Sequence, residues 1–356
     1  MEKKVLKEIV QEVNKFKLID IICSVYYFYL AIGDYSNMIS TVELEYMINA
    51  IYETKSEANR CPSYEEINSV IELTHLILSQ SFDEMEKSKD DIIFTQAKED
   101  FLYVKEDTEY SSMVFEYLNL FHPVEYFFKK YYKFKIEDFL RFTNFIQIEY
   151  VTRMRLINQI LEISHKNITR EILIKYLLNC SCNILNFNEA TLATNQEELI
   201  AFRKILQNFS VDKEECIKNN IENCPIFREG DTYIFSSIVT LLNKGKHIFE
   251  KDIRKDKMLR DFYADKKGEY LEILTKDVIK EIIKDAEIFP NIKYRENKHD
   301  RECDLLVIYD QIILIIEIKG RAFKEVSKRG SKQYLEQDLN DNIYKAYKQA
   351  TRYRVF

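Results

Sequence analysis

Glycine is nearly absent from the first two thirds of the chain, and this absence constrains the fold more than any other feature of the sequence. Of the six glycines among 356 residues, five lie at or after Gly230, so the first 229 residues contain only Gly33. Tight turns and bends use glycine because it adopts backbone angles that other residues avoid. We therefore predict that the region before Gly230 is mostly α-helical.

Length, charge and cysteine content narrow the class of protein. A length of 356 residues with 46% hydrophobic content predicts two or three domains with a buried core. The formal net charge of -7 excludes a protein that coats nucleic acid through its overall charge. The seven cysteines form no C-x-x-C pair, which favours a reducing cytosol over a disulfide framework or a zinc ribbon.

No segment has the properties of a membrane span or an export signal. The most apolar window, residues 18–32, is 15 residues long and contains Asp20, whereas a helix needs about 20 apolar residues to cross a bilayer. The first 13 residues alternate charged with apolar side chains, unlike a signal peptide. We expect a cytoplasmic protein with no membrane partner.

Residues 1–222 are interpreted as an all-helical domain that regulates activity or binds a partner. Segments 40–43, 63–66 and 194–197 match the capping box, in which a Ser or Thr and a Glu satisfy two backbone amides at a helix start. Apolar residues at helical spacing then extend over 136–165. The many aromatic residues of this region are interpreted as its core.

Residues 223–265 are predicted to be a hairpin and helical connector. Two short apolar and aromatic runs flank Glu229-Gly230-Asp231, a pattern typical of a β-hairpin. A helical stretch follows, and the Lys-Lys-Gly sequence at 266–268 predicts a break. The domain boundary is therefore expected between residues 221 and 266.

Residues 266–356 change type again and are predicted to form a separate domain. A helix is expected from Gly268 to Ala286, with Pro290 ending it, and a long helix is expected near the end of the sequence. Between them, one nearly continuous apolar run is typical of a strand buried on both faces. The predicted strands cover 291–296, 303–309 and 311–319, and the predicted final helix covers 332–354.

Charged residues at the end of the apolar strand are the most informative chemical feature. Glu317 and Lys319 are two residues apart, which in a strand places both side chains on one face. Asp304 opens the preceding predicted strand and would lie near Glu317 in a hairpin closed at Asp310. Because two partly buried carboxylates repel each other, they favour a divalent cation with oxygen ligands, such as Mg²⁺. A lysine beside the cation can stabilise charge that develops on a phosphate.

These residues resemble the PD-(D/E)XK superfamily of restriction-endonuclease-like nucleases. The downstream Gln349-Ala-Thr-Arg-Tyr353 matches the Gln-x-x-x-Tyr signature of its RecB-type branch. The resemblance implies Mg²⁺-dependent phosphodiester hydrolysis, with Mn²⁺ as the alternative ion. Asp304 and Glu317 would be metal ligands, Lys319 would assist the attacking water, and Gln349 and Tyr353 would support the site or contact DNA.

The resemblance also implies a catalytic glutamate on the leading helix and a specific fold. Glu272 fits the Gly-x-x-apolar-Glu pattern after Gly268, and Glu269, one turn earlier, is the alternative. The expected fold is multidomain, α plus α/β: an all-helical N-terminal region followed by a restriction-endonuclease-like αβββα core. Because the sequence ends at Phe356, directly after Tyr353, we expect a core truncated before its last strand.

Two kinds of cofactor are not expected. Some RecB-type nucleases hold an iron-sulfur cluster through four cysteines, but only Cys303 lies near this core, so we predict no cluster. The Asn-Lys-Gly-Lys segment at 243–246 lacks the residues of a phosphate-binding loop, so we predict no ATP site.

The loop after the apolar strand is a candidate DNA-binding surface. From Pro290 to Phe356 there are 14 Lys and Arg against 10 Asp and Glu, a local net charge of +4 in an otherwise acidic chain. Such a patch would contact phosphates without reading sequence. The predicted nucleic-acid-binding residues are Arg321, Lys324, Lys328, Arg329 and Lys332.

The sequence thus predicts an Mg²⁺-dependent deoxyribonuclease, either endo- or exonucleolytic, in bacterial antiviral defence or DNA repair. Its helical domain would bind a protein partner or mediate self-association. The alternative from another class is a non-catalytic DNA-binding or scaffolding protein built on an inactive nuclease fold. RNA is the alternative substrate.

Overall fold

The computed structural model divides the chain into two compact units. The first comprises residues 1–118 and 125–252, and the second comprises residues 119–124 and 253–356. The structure describes residues 9–16, 47, 50, 60, 62–85, 110–163, 186–188, 195–212, 224–229, 232–235, 238–296, 298–321, 327 and 332–355.

The described residues before Ile253 are mostly helical, as the scarcity of glycine predicts. A short 3₁₀ turn at His122–Val124 and a π-helical turn at Phe128–Tyr132 interrupt the helical pattern. The long helices in the described ranges are α1 (Tyr64–Met85), α2 (Tyr110–Phe121), α3 (Ile136–Ile163), α4 (Gln196–Phe209) and α5 (Ile238–Ile253).

Capping residues set the starts of two of these helices. The amide of Ser63 donates to Glu66 and the amide of Glu66 donates to the Ser63 hydroxyl, so the capping box predicted at 63–66 is confirmed. At α4 the cap is Asn195, whose side chain accepts from the Glu198 amide, one residue later than the predicted box at 194–197. The box predicted at 40–43 lies outside the described residues.

Aromatic side chains form the core of the first unit. Phe128, Phe139, Phe209 and Phe249 are all fully buried, and the ring centroids of Phe128 and Phe249 are 4.7 Å apart in an edge-to-face arrangement. The Tyr117 hydroxyl donates to the carbonyl of Leu242. These rings pack against one another, in agreement with their interpretation as a core.

The first unit also contains a small sheet that the all-helical prediction missed. Its strands are β1 (Asn186–Asn188), β2 (Ser210–Asp212), β3 (Ile226–Glu229) and β4 (Thr232–Phe235), in the order β1-β4-β3-β2. The hairpin of β3 and β4 is the one predicted around Gly230. Strands β1 and β2 have three residues each, too few for a period of two to be visible in the sequence. The region predicted as all-helical is therefore helical with two short strands.

The second unit is a three-stranded sheet with helices before and after it. The sheet has the order β5-β6-β7 and both pairings are antiparallel. Its elements are α6 (Lys257–Ile282), β5 (Glu287–Glu296), β6 (His299–Tyr309), β7 (Ile312–Ile316), α7 (Lys332–Leu339) and α8 (Lys345–Val355). A π-helical turn at Asn340–Tyr344 joins α7 to α8.

Three local predictions in this region are wrong. Strand β7 is not buried on both faces, because Ile312 and Ile313 are 56% and 61% exposed. Helix α6 runs without interruption through Lys266–Gly268, where a break was expected, because the other residues of the segment favour a helix and one glycine costs only about 1 kcal/mol. Pro290 lies within β5 and does not separate a helix from a strand. A proline is tolerated there because β5 is at an edge of the sheet.

The described residues contain no helix that is both long enough and apolar enough to cross a membrane.

We predict opposite effects of alanine at two helical glycines. A Cβ atom at Gly245 would lie 2.8 Å from Phe139 Cζ and 2.9 Å from the Tyr117 hydroxyl oxygen, so Gly245→Ala should destabilise the fold by about 1–3 kcal/mol through overpacking. Gly268 has no atom within 4 Å of the corresponding position, so Gly268→Ala should raise stability by up to about 1 kcal/mol. Thermal melting followed by circular dichroism compares the two variants. A higher melting temperature for Gly245→Ala would contradict this packing.

Candidate active site

The charged pair predicted at the end of the apolar strand directly follows β7. The Glu317 side chain is only 2% exposed, and its Oε2 atom lies 3.5 Å from Lys319 Nζ. Its Oε1 atom is buried and has no hydrogen-bond partner within the described part of the chain. Burying a carboxylate oxygen without a hydrogen-bond partner costs free energy. This atom is therefore suited to bind a cation.

Asp304 lies opposite Glu317 across the strand ladder. Leu305 of β6 pairs with Ile316 of β7, so the next residues outward along this register are Asp304 and Glu317. The Oδ2 atom of Asp304 accepts a hydrogen bond of 2.6 Å from the amide of Ile318. This bond fixes the carboxylate of Asp304 at the end of β7. Because β6 begins at His299, Asp304 lies in the middle of its strand and not at the start.

The surroundings of Glu317 disfavour its ionised form. Burial raises the pKa of the Glu317 carboxyl above its ordinary value, the charge of Asp304 raises it further, and Lys319 partly opposes the rise. Two acids that resist simultaneous ionisation are stabilised by a divalent cation.

Asp304 and Glu317 are suited to bind such a cation, although they provide few ligand atoms. No group of three or more His, Cys, Asp or Glu side chains in the described ranges is arranged to hold a metal ion. Mg²⁺ is commonly held by one or two carboxylates, with water and substrate phosphates as the remaining ligands. Asp304 and Glu317, with the unpartnered Oε1 atom of Glu317, meet this smaller requirement.

Of the two glutamates considered on the leading helix, Glu272 lines a cleft of about 370 Å³ together with Asp304. Burial raises the pKa of Glu272, a hydrogen bond with the Asn291 side chain opposes the rise, and the charge of Asp304 adds to it. Glu269 does not line the cleft. Its side chain is 59% exposed and pairs with Lys266 at 2.7 Å.

The two residues of the Gln-x-x-x-Tyr motif reach the same region from α8. Gln349 lines the cleft. The Tyr353 ring packs edge-to-face on Tyr294, with centroids 5.1 Å apart, and Tyr294 also lines the cleft. The structure thus brings Gln349 to the carboxylates directly and Tyr353 through its contact with Tyr294.

The predicted basic loop is only partly described. Arg321 is engaged in an ion pair with Asp341, with Nη1 and Oδ2 2.7 Å apart. Lys332 begins α7, but its side chain is outside the described part. Lys324, Lys328 and Arg329 also lie outside it.

The cysteine and the Asn-Lys-Gly-Lys segment considered above have ordinary structural surroundings. Burial, followed by the charge of Glu317, raises the pKa of the Cys303 thiol to about 11. The segment 243–246 lies within α5, where Gly245 packs against Phe139.

Sequence reasoning missed six residues that surround this site. Five of them line the cleft, and only the helical spacing of Arg352 from Gln349 was visible in the sequence; the five are Tyr294, Asp300, Arg301, Glu302 and Arg352. The sixth, Asn291, has a φ of 54° and contacts Glu272 through its side chain. Asparagine tolerates this left-handed conformation better than most residues, but nothing in the local sequence predicts its position opposite Asp304.

The C-terminal unit has a counterpart among known families. Residues 267–355 match the family model described as the nuclease-related domain, NERD. The match confirms the resemblance to PD-(D/E)XK nucleases for this region of the chain, which carries the nuclease-related domain. It does not distinguish the RecB-type branch. No curated protein and no solved structure matches the chain significantly.

We predict that position 291 of the nuclease-related domain tolerates glycine better than alanine. Glycine adopts a φ of 54° without strain, whereas alanine in this region costs about 1 kcal/mol or more. Both variants lose the side-chain contact with Glu272. The difference between them therefore reports the free-energy cost of the left-handed backbone conformation. Thermal melting should give a lower midpoint for Asn291→Ala than for Asn291→Gly. Equal midpoints would show that the backbone conformation at this position carries no such constraint.

Proposed function

We propose that the protein is a metal-dependent nuclease that hydrolyses phosphodiester bonds of DNA at the cleft of its nuclease-related domain. The proposal rests on the facing carboxylates of Asp304 on β6 and Glu317 after β7. One oxygen of this pair, Oε1 of Glu317, is buried without a hydrogen-bond partner among the described residues. Buried acids that repel each other lower the stability of the fold. Such a pair is therefore expected at a functional site.

The chemistry at this pair depends on a divalent cation. Mg²⁺ or Mn²⁺ would supply Lewis-acid stabilisation of a phosphoryl oxygen and activation of a water molecule. Asp304 and Glu317 are the residues that would hold it. The amide of Ile318 keeps the Asp304 carboxylate in a fixed orientation, which limits the reorganisation needed when a cation binds.

The other residues at and beside the cleft have separate proposed roles. The Lys319 ammonium group, 3.5 Å from Glu317, stabilises the negative charge that develops on the phosphate. Glu272 accepts a proton from water or completes the ligand set, and Asn291 orients its carboxylate. Gln349 donates a hydrogen bond to the substrate, and Tyr353 supports the cleft through Tyr294.

The proposal includes a restriction-endonuclease-like core for the second unit. The order of α6, three antiparallel strands and the helices α7 and α8 supports an αβββα arrangement. In this arrangement the catalytic acids come from two adjacent strands, which agrees with Asp304 of β6 and Glu317 after β7, and the motif glutamine comes from the last helix, which agrees with Gln349.

We also propose that the helical unit regulates the nuclease-related domain through a protein partner or self-association. A nuclease that acts on DNA in a cell needs restraint, and a separate helical unit can provide it. Antiviral defence and DNA repair in bacteria are the settings that fit this combination.

Charge-neutralising substitutions of the two acids test the site. Asp304→Asn keeps an oxygen that can accept from the Ile318 amide, and Glu317→Gln keeps the side-chain shape. Each should lower metal-dependent cleavage by about 10²-fold or more, because the cation loses a charged ligand. The assay uses supercoiled plasmid, linear duplex, single-stranded DNA and RNA with Mg²⁺, Mn²⁺ or EDTA.

Two glutamates on one helix provide the matched comparison. Glu272→Gln should lose activity, whereas Glu269→Gln, at an exposed ion pair, should lose little. Loss in Glu269→Gln alone would move the assignment to that residue. If the wild-type protein shifts DNA with strong salt dependence and never cleaves it, the protein is a DNA-binding or scaffolding protein built on an inactive nuclease fold.

Lys319→Ala should reduce turnover more than metal affinity. The lysine is expected to act on the phosphate, so kcat should fall by about 10²–10³-fold while the metal concentration for half-maximal activity changes little. Metal titrations of cleavage rate separate the two parameters. A large shift in metal requirement with unchanged kcat would assign Lys319 to the metal site.

A further inference from the structure

The cleft of the nuclease-related domain contains cations that are distinct from the predicted basic loop. Within the described residues, its lining includes two guanidinium groups, Arg301 from β6 and Arg352 from α8. Four carboxylates line the same cleft, including Glu272 and Asp304, so its formal charge is -2 before any cation binds. A polyanion entering this space needs local positive charge in addition to a metal ion.

Arg352 is placed to provide that charge. It follows Gln349 by three residues on α8, so both side chains project from one face of the helix into the cleft. Arg352 is exposed, and no other described residue forms an ion pair or hydrogen bond with it. By contrast, the guanidinium group of Arg321 in the predicted basic loop is held by Asp341.

Arg301 is held only loosely. Its Nε atom lies 3.6 Å from Oε2 of Glu296, and the two side chains are 41% and 28% exposed. An ion pair of this length at a solvated position contributes little, so a phosphate can replace the glutamate at small cost. Arg301 lines the same cleft as Asp304.

Arginine is suited to this role by its geometry. Its planar guanidinium group presents parallel N–H donors that match two oxygens of one phosphate, and it remains charged at any pH of interest. Such contacts position a backbone without reading its sequence.

We propose that Arg301 and Arg352 bind backbone phosphates of the DNA on the two sides of the phosphate that faces Asp304. The DNA backbone then follows the cleft between β6 and α8. The inference rests on the proposed nuclease function and adds the residues that hold the substrate in it.

The test measures binding of the full chain to fluorescein-labelled DNA in EDTA, where no cleavage occurs. Fluorescence anisotropy gives the dissociation constant between about 50 and 200 mM NaCl for a duplex and a single strand. The variants are Arg301→Gln, Arg352→Gln and the double variant. Lys348→Gln is the matched control, because Lys348 is exposed on the same helix, loses the same charge and does not line the cleft.

Each arginine variant should weaken binding by about 10-fold or more and lower the slope of log K against log salt by about 0.9, as expected for one lost phosphate contact. Arg352→Lys should keep the salt slope and recover part of the affinity, because it keeps the charge and loses the paired donors. Its melting temperature and that of the Gln variants show that the fold is retained. A double variant that binds like Lys348→Gln would overturn the inference.

Cleavage measured in parallel with Mg²⁺ separates this inference from the proposed function. If the wild-type protein cleaves DNA and the double variant binds like the control, the nuclease stands and the arginine assignment fails. If the wild-type protein does not cleave but the double variant loses binding, the phosphate-binding assignment stands and the nuclease proposal fails. A wild-type protein that neither binds nor cleaves overturns both.

Discussion

The hydrogen bond from the Ile318 amide to Asp304 determines much of the geometry of the candidate site. The β6–β7 ladder ends at the pair of Leu305 and Ile316, and beyond it the backbone of β7 is satisfied by a side chain and no longer by the backbone of β6. This arrangement holds the Asp304 carboxylate beside the buried carboxyl of Glu317. Leaving a buried charge unpaired costs several kcal/mol, and a lysine 3.5 Å away offsets only part of it. The local fold therefore places two carboxylates where they repel each other. A bound cation would offset this repulsion.

Close packing of helix α6 against the strand end completes the site. Gly320 lies so near this helix that a Cβ atom would be 2.7 Å from Cδ1 of Leu271. A Cβ atom at this position would require the Leu271 side chain to move. The next residue of the helix, Glu272, lines the cleft together with Asp304. Asn291 then links the helix to β5 through its side chain. The three acids come from separate elements, and each depends on a different packing contact.

The helical unit is built around an aromatic core. Its core consists of interlocking aromatic rings, among them Phe139, Phe209 and Phe249, which are buried and arranged mainly edge to face. Inside this core the Tyr117 hydroxyl donates to the carbonyl of Leu242, a residue distant in sequence. In the described part of this unit, the buried aromatic side chains form a packed core.

The sequence by itself determined the helical character of the first region, the order of elements in the second, and the acids at the strand end. These features depend on local patterns: scarce glycine, apolar periodicity, and charges at fixed distances from an apolar run. The tertiary structure decided the rest. The choice between Glu269 and Glu272 as the cleft residue depends on the rotation of α6 about its axis, and the left-handed Asn291 depends on the pairing of β5 with β6. Likewise, Arg321 pairs with Asp341, which is distant in sequence. Arg352 lines the cleft together with residues of earlier elements. Such contacts arise only when separate elements pack, because no spacing along the chain records which faces meet.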